Sequence, residues 1–330
     1  MSIGHAHHHP SQSAHGLHAT LAKRAALASV AMATFLLFLK SFASLATGSV
    51  AMLGSLADTG LDVVAALITL YGVRLAATPA DDDHRFGHGK AEAIAALAQV
   101  GIIGFSALAI GWRAVERLMG GEATANAEFG IGISLIAIVS TLALLAYQRR
   151  VIAQTGSVAI QADHVHYQTD LLLNGSVIAA LALDQYGGLT GADAVFGIVI
   201  ALWLLFGAWR ASSRAVDQLM DKEWPEEKRE RFVAVASRHA ALKGIHDLRT
   251  RTSGSRDFVQ FHVWVDAEMT VAAAHDVMDE VEDWLGKEFP GTEILIHLDP
   301  EGQVDQPGNL LAETNLSPAR RDLPPATETS

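Results

Sequence analysis

The sequence predicts an α-helical membrane protein: six transmembrane helices, then a small cytoplasmic α+β domain of metallochaperone-like α-β-β-α-β order. Three observations carry this. Half of the 330 residues are apolar and only 18% are charged. Charge is unevenly spread, because residues 211–330 hold 13 of the 24 Lys/Arg and 23 of the 36 Asp/Glu, so most of the net −12 sits in the last third. The first two thirds instead break into apolar runs of about 20 residues, the length that crosses a bilayer.

The six runs lie near 25–46, 50–75, 91–118, 129–148, 157–183 and 192–210, and each ends in Gly, Pro or charge. Basic residues at the run ends set orientation. Lys23 and Arg24, Arg74, Arg85 and Lys90, Arg149 and Arg150, and Arg210 and Arg214 fall on one side, whereas the opposite loops "ATGS" and "DQYGGLTGAD" hold none. Both termini are therefore expected in the cytoplasm, with residues 1–20 a tail and 21–221 the membrane domain. That tail packs six of the fifteen histidines into eighteen residues. It either gathers metal or has no role, and it lacks the cationic start and small-residue cleavage site of a signal peptide.

Residues 222–300 show mixed periodicities. "PEEKRERFVAVASRHA" opens with a proline and acids and then spaces its apolar residues as a helix does. "IHDLRTRT" and "DFVQFHVWVD" alternate as strands, with "GSRD" as the turn between them. "VAAAHDVMDEVEDWLGK" is an amphipathic helix and "TEILIHLD" a third strand. Residues 301–330 are rich in Pro, Gly, Asn, Thr and Ser and are expected to be disordered. An acidic balance argues against nucleic acid as a partner and suits cations.

The stretch "SLADTGLDVV" sets Asp58 and Asp62 within a spanning run, where each carboxylate costs roughly 2.5–3.5 kcal/mol at mid-membrane. Four residues apart, they share one helix face. "HYQTD" places His166 and Asp170 at the same spacing in the fifth run. A lone acid would cap a loop, snorkel or pair with Lys40. Two matched pairs instead converge on one site of three carboxylates and an imidazole. With no cysteine in the chain, that donor set suits Zn²⁺, with Fe²⁺, Mn²⁺ or Cd²⁺ as alternatives. His164, two residues before His166, points from another face and lines a neighbouring polar surface.

The loop "PADDDHRFGHGKAEA" gives Asp81, His84 and His88 ligand spacing on a Gly-broken turn. Such a run is either solvated surface or a second metal site. His246, His262, His275, His297 and Asp299 lie on adjoining elements of the soluble domain and suggest a cytoplasmic metal cluster. Single histidines there would otherwise be core or surface fillers.

Taken together, "SLADTGLDVV", "PADDDHRFGHGKAEAIAALAQ", "ADHVHYQTD" and "HDLRTRTSGSRDFVQFHV" resemble the bacterial zinc/iron-type cation diffusion facilitator family, over about residues 20–300. The resemblance implies a homodimer of six-helix subunits in the cell inner membrane, each exporting Zn²⁺ in exchange for protons. Carried over by motif, Asp58, Asp62, His166 and Asp170 would be the transport site, and Asp81, His84 and His88 the loop site. His246, His262 and Asp299 would hold one structural cytoplasmic Zn²⁺, and His275, His297 and the shared Asp299 another. Lys90 and Asp221 match a charge interlock at the dimer interface; their ordinary readings are a helix-end charge and a solvated linker acid. Asp rather than Asn at position 58 leans away from manganese.

Chemistry supports exchange. A neutral imidazole binds metal and a protonated one does not, so metal and protons compete for one set of residues. A metalloenzyme would need an open coordination position and a nearby base, and a channel would line a pore with ligand rings. A sensor that does not transport would leave the costly intramembrane acids without a purpose.

Overall fold

Long helices with apolar outer faces form the first two thirds of the molecule. The computed structural model describes residues 12–47, 50–120, 130–187, 192–239 and 242–301, and the statements below concern these. The helices are α1 (Gln12–Thr47), α2 (Val50–Ala76), α3 (Ala91–Gly120), α4 (Gly130–Thr155), α5 (Val158–Gly187) and α6 (Ala192–Leu219). They coincide with the expected spans apart from their ends. α1 begins thirteen residues before its apolar run because "QSAHGLHATLAKR" offers no proline or strong helix breaker beyond Gly16, and α4 and α6 run seven and nine residues past theirs. The tail histidines from His5 to His9 and the segment after Glu301 lie outside the described residues.

Polarity is inverted in this unit, Leu17–Leu219. Phe38, Trp112 and Trp209 are each more than 70% exposed, whereas Ser29, Gln99, Gln148 and Asp163 are fully buried. An exterior of large apolar side chains around polar ones is the arrangement that hydrocarbon, not water, favours. Five helices, all but α5, are long and apolar enough to cross a membrane. Interrupting α5 are Gln161, Asp163, His164, His166, Gln168 and Asp170.

Small residues let the helices approach closely. Ala22, Ala25 and Ala26 of α1 pack with Leu70 and Val73 of α2, Val151 of α4 and Ala159 of α5. A Cβ added at Gly72 of α2 would lie 2.3 Å from the Ala95 methyl of α3. At the start of α5, Ser157 Oγ donates to the buried Glu92 of α3 at 2.5 Å, and the Val158 and Ala159 N–H groups also bond to it. Glu92 thereby satisfies the first free N–H groups of α5, at the positive end of its dipole.

The unit from Met220 onward has the expected order: α7 (Glu226–Ala236), β1 (Lys243–Ser253), β2 (Arg256–Val265), α8 (Val271–Glu288) and β3 (Thr292–Pro300). β2 lies between an antiparallel β1 and a parallel β3. The hairpin turns on Gly254, with φ of 61°, and Ser255; a glycine at the first central position suits a type II′ turn. Thr270 caps α8 by accepting the Ala273 N–H at 3.2 Å. One sheet face, with Val259, Phe261 and Val263, is covered by Phe232 of α7 and Met278, Val281 and Leu285 of α8. By alternation His262 belongs to the other face.

The Gly72 contact generates a prediction. Gly72→Val is expected to lower the thermal midpoint in detergent by several degrees. Gly104→Ala, where nothing lies within 4 Å, should leave it unchanged or raise it, since alanine favours helix by about 1 kcal/mol.

Candidate metal centres

The helical i, i+4 spacing on α2 and α5 brings Asp62, His166 and Asp170 together, each offering a ligand atom within 4.8 Å of the others. His166 Nε2 lies 3.2 Å from Asp62 Oδ1, in an orientation that makes no hydrogen bond, and it finds no other partner among the described residues. A buried ring nitrogen turned on carboxylates without a proton-sharing geometry is arranged as a ligand atom. The backbone of Asp58 lies one turn from Asp62 on α2, and its side chain lies outside the described ones. Lys40, the alternative partner for an acid here, donates to Thr59 Oγ1 at 2.7 Å.

In the loop between α2 and α3, Asp81, His84 and His88 also cluster. Asp81 Oδ1 accepts the His84 N–H at 2.7 Å and the Asp83 N–H at 3.1 Å. The two rings present nitrogens 3.2 Å (His84) and 3.3 Å (His88) from the Asp81 oxygens. The backbone N–H of His84 is the main reason that the Asp81 carboxyl is held below its ordinary range. Gly87, with φ of 78°, makes the reversal that returns His88 to Asp81.

Strand register builds the third cluster. His246 pairs with His262 across β1–β2, and His262 with His297 across β2–β3, so three imidazoles line up beside Asp299. β1 is irregular on both sides of His246, as a bulge that re-aims a side chain is. Gly244, at φ of 58°, leaves no room for a Cβ against the Trp264 ring, and its carbonyl accepts His246 Nδ1–H at 2.6 Å. That bond leaves the His246 Nε2 lone pair facing Asp299 Oδ2, 3.2 Å away. Two acceptors face each other with room for a cation, and the carbonyl fixes the tautomer as an outer partner of a ligating histidine does. His262 Nδ1 is 2.9 Å from the same oxygen, and His297 Nε2 is 3.4 Å from Oδ1. Burial raises the Asp299 carboxyl, but the His262 hydrogen bond and the neighbouring His262, His297 and His246 rings outweigh it and hold it below its ordinary range.

His275 stands apart. It follows Ala274 on α8, whose apolar face is turned into the core, so its ring is exposed and 3.7 Å from Asp279. Within this chain it does not join His297 and Asp299. Lys90 donates to the Leu219 carbonyl at 3.1 Å, and Asp221 lies 3.5 Å from Arg251.

Two residues near these centres, Asp163 and Asp247, carry no ligand spacing and escape a sequence reading, whereas His164 does not. His164 Nδ1 contacts Gln148 Oε1 at 3.2 Å, on the other face of α5 as its offset implies. Asp163 is fully buried and accepts from Ser29 of α1, Gln99 of α3 and Gln148 of α4 at 2.5, 3.1 and 2.7 Å. Asp247, at φ of 45°, lies 3.7 Å from His262 Nε2 and pairs with Arg249. The one available signal was that Asp163 shares a helical stripe with His166 and Asp170.

The description "Cation efflux transmembrane domain" matches residues 26–220, and "Cation efflux protein, cytoplasmic domain" matches 224–301. The cation-efflux pump FieF of Klebsiella pneumoniae is 42% identical over 284 residues, covering 86% of this chain and 94% of the relative. FieF of Serratia proteamaculans is 42% identical over 283 residues, with the same coverage. A solved chain of the "Zinc Transporter CzrB (Zn form)" is 39% identical, covers 26% of this chain and 99% of its own length, and has a TM-score of 0.24. Matched along both units, the chain belongs to the cation diffusion facilitator family, which comprises multi-pass membrane transporters for cation efflux and not enzymes.

Proposed function

We propose that the protein exports a divalent cation, Zn²⁺ by preference, from the cytoplasm in exchange for protons, working as a homodimer in the inner membrane with both termini cytoplasmic. The observation that carries this is the meeting of Asp62, His166 and Asp170 inside a helical unit with an apolar exterior. Carboxylates and an imidazole without thiolate suit Zn²⁺, and Cd²⁺ and Fe²⁺ share that chemistry. Asp58 supplies the fourth ligand from the same face of α2.

The exchange follows from the ligands. Open to the cytoplasm at neutral pH, where protons are scarce, the cation displaces protons from His166 and the carboxylates and binds. Open to the other side, protons take the same atoms and the cation leaves. No separate proton path is needed, and alternating access delivers the coupling. Asp81, His84 and His88 form a loop site for incoming cation. His246, His262, His297 and Asp299 fit a resident Zn²⁺, whose role is to stabilise the dimer or to sense cytosolic metal; His275 takes part only if the second ion draws it in. Lys90 and Asp221 interlock the subunits by charge.

Three outcomes are expected. In proteoliposomes with a pH gradient, Asp62→Ala should cut Zn²⁺ flux by about 100-fold or more, the loss of a ligand made wholly inside the protein; persistent flux would return these acids to a structural role. Zn²⁺ affinity of the detergent-solubilised protein should fall at least tenfold from pH 7.5 to 5.5, because protons compete with the cation for the same imidazole and carboxylates. A flat profile would refute competition. At the cytoplasmic cluster Asp299, with its lowered value, remains ionised through that window. In the metal-free protein its contribution to stability is present above about pH 4 and is lost only as pH falls through the lowered value. Metal loss on acidification there is therefore set by the histidines. His246→Ala should remove the Zn²⁺-induced rise in thermal midpoint of this unit and weaken the dimer; unchanged transport and unchanged activation by metal would count against the role.

A further inference from the structure

We propose that Gln99 and Asp163 form a strap that sets the separation of α2 and α5 beside the transport site, and thereby its preference among cations by size. Neither residue is a ligand; both are positioning residues. Gln99 of α3 reaches both ligand-bearing helices at once. Its Nε2 shares two hydrogens among three acceptors, the Ala65 carbonyl at 3.1 Å and Thr69 Oγ1 at 2.5 Å on α2 and Asp163 Oδ1 at 3.1 Å on α5.

The spacing makes this more than a buried contact. Ala65 and Thr69 follow Asp62 by three and seven residues, and Asp163 precedes His166 and Asp170 by three and seven. On antiparallel helices these offsets put the strap on the same stripes as the ligands, about 4.5 Å along the axis. A change in the α2–α5 gap at Gln99 is therefore passed directly to the Asp62–His166 approach of 3.2 Å.

Asp163 is anchored from its other sides. Ser29 Oγ and Gln148 Nε2 hold Oδ2 at 2.5 and 2.7 Å, Gln148 also donates to Ser29 Oγ at 3.0 Å, and Tyr167 donates to the Ser29 carbonyl at 2.8 Å. All of these donors are neutral, so the carboxylate is satisfied without a cation. Gln99 Oε1 is the one buried atom of this network with no partner among the described residues, and the bonds that the Asp163 carboxylate does make, from three helices at once, restrict their movement. The network holds the gap at one width, and a fixed gap discriminates between a small cation with bonds near 2.0 Å, such as Zn²⁺, and a larger one.

The inference rests on the transport site proposed above, and its test separates the two. Initial rates of Zn²⁺ and Cd²⁺ uptake would be measured in proteoliposomes for wild type, Asp62→Ala, Gln99→Ala, Asp163→Asn and the exchange pair Gln99→Glu/Asp163→Asn, which restores one donor facing one acceptor. The strap predicts that each single change at 99 or 163 raises the KM for Zn²⁺ about tenfold with Vmax within twofold. It predicts a rise below threefold for Cd²⁺, and return of the Zn²⁺ KM to within threefold of wild type in the exchange pair. A merely structural role would lower yield and Vmax for both ions alike and leave the Cd²⁺/Zn²⁺ ratio of KM unchanged, which would overturn the proposal. Should Asp163→Asn fail to fold, Gln99→Ala and Thr69→Val carry the same reading. Loss of flux in Asp62→Ala with an unchanged ratio in every strap variant overturns the strap alone. Retained flux in Asp62→Ala overturns the site and the strap together.

Discussion

A carboxylate among membrane helices must be answered by a cation, a proton or a ring of donors, and the helical unit is arranged around that requirement. Its acids are answered in different ways. Glu92 meets the N-terminus of α5, where backbone N–H groups are free in any case. Asp163 meets three neutral side-chain donors from three other helices. Asp62 and Asp170 gather around one imidazole, the arrangement that the proposed transport of a mobile cation would use. The first two kinds of answer are permanent and hold helices in place. The last is exchangeable, as transport demands.

The cytoplasmic unit solves a related problem in a sheet. Regular strands would set side chains at fixed alternate positions, and ligands for one ion have to converge from three strands. The irregular β1 provides the convergence, at a cost carried by Gly244 and by Asp247 in left-handed backbone conformations. Local strain is tolerated where a site needs it. Meanwhile Val259, Phe261 and Val263 on the other face keep strict alternation and supply the core.

Much of this was legible from residue order. Six apolar runs, the α-β-β-α-β order and the paired i, i+4 ligands follow from periodicities of 3.6 and 2 that act within one element. What escaped detection depends on distance along the chain. Asp163 meets Ser29 across 134 residues and Gln99 across 64, and no local pattern announces that a glutamine on one helix will bridge two others. His275 is set by the same kind of distant constraint: its place beside Ala274 on α8, exposed and 3.7 Å from Asp279, follows from which face of that helix the core takes up.

The polar stripe of α5 also bears on how the protein is made. Insertion from the translocon charges a helix for each ionisable group near its centre, and Asp163, His166 and Asp170 together make α5 a poor candidate to enter lipid alone. Asp163 and His166 are approached by side chains of α1, α2, α3 and α4, all of which precede α5 in the chain, whereas Gln161 accepts from Arg214 of α6, which follows it. The nascent protein thus has the partners of Asp163 and His166 in place before α5 leaves the ribosome, and the helix with the most polar interior face enters the bilayer against an already waiting polar surface.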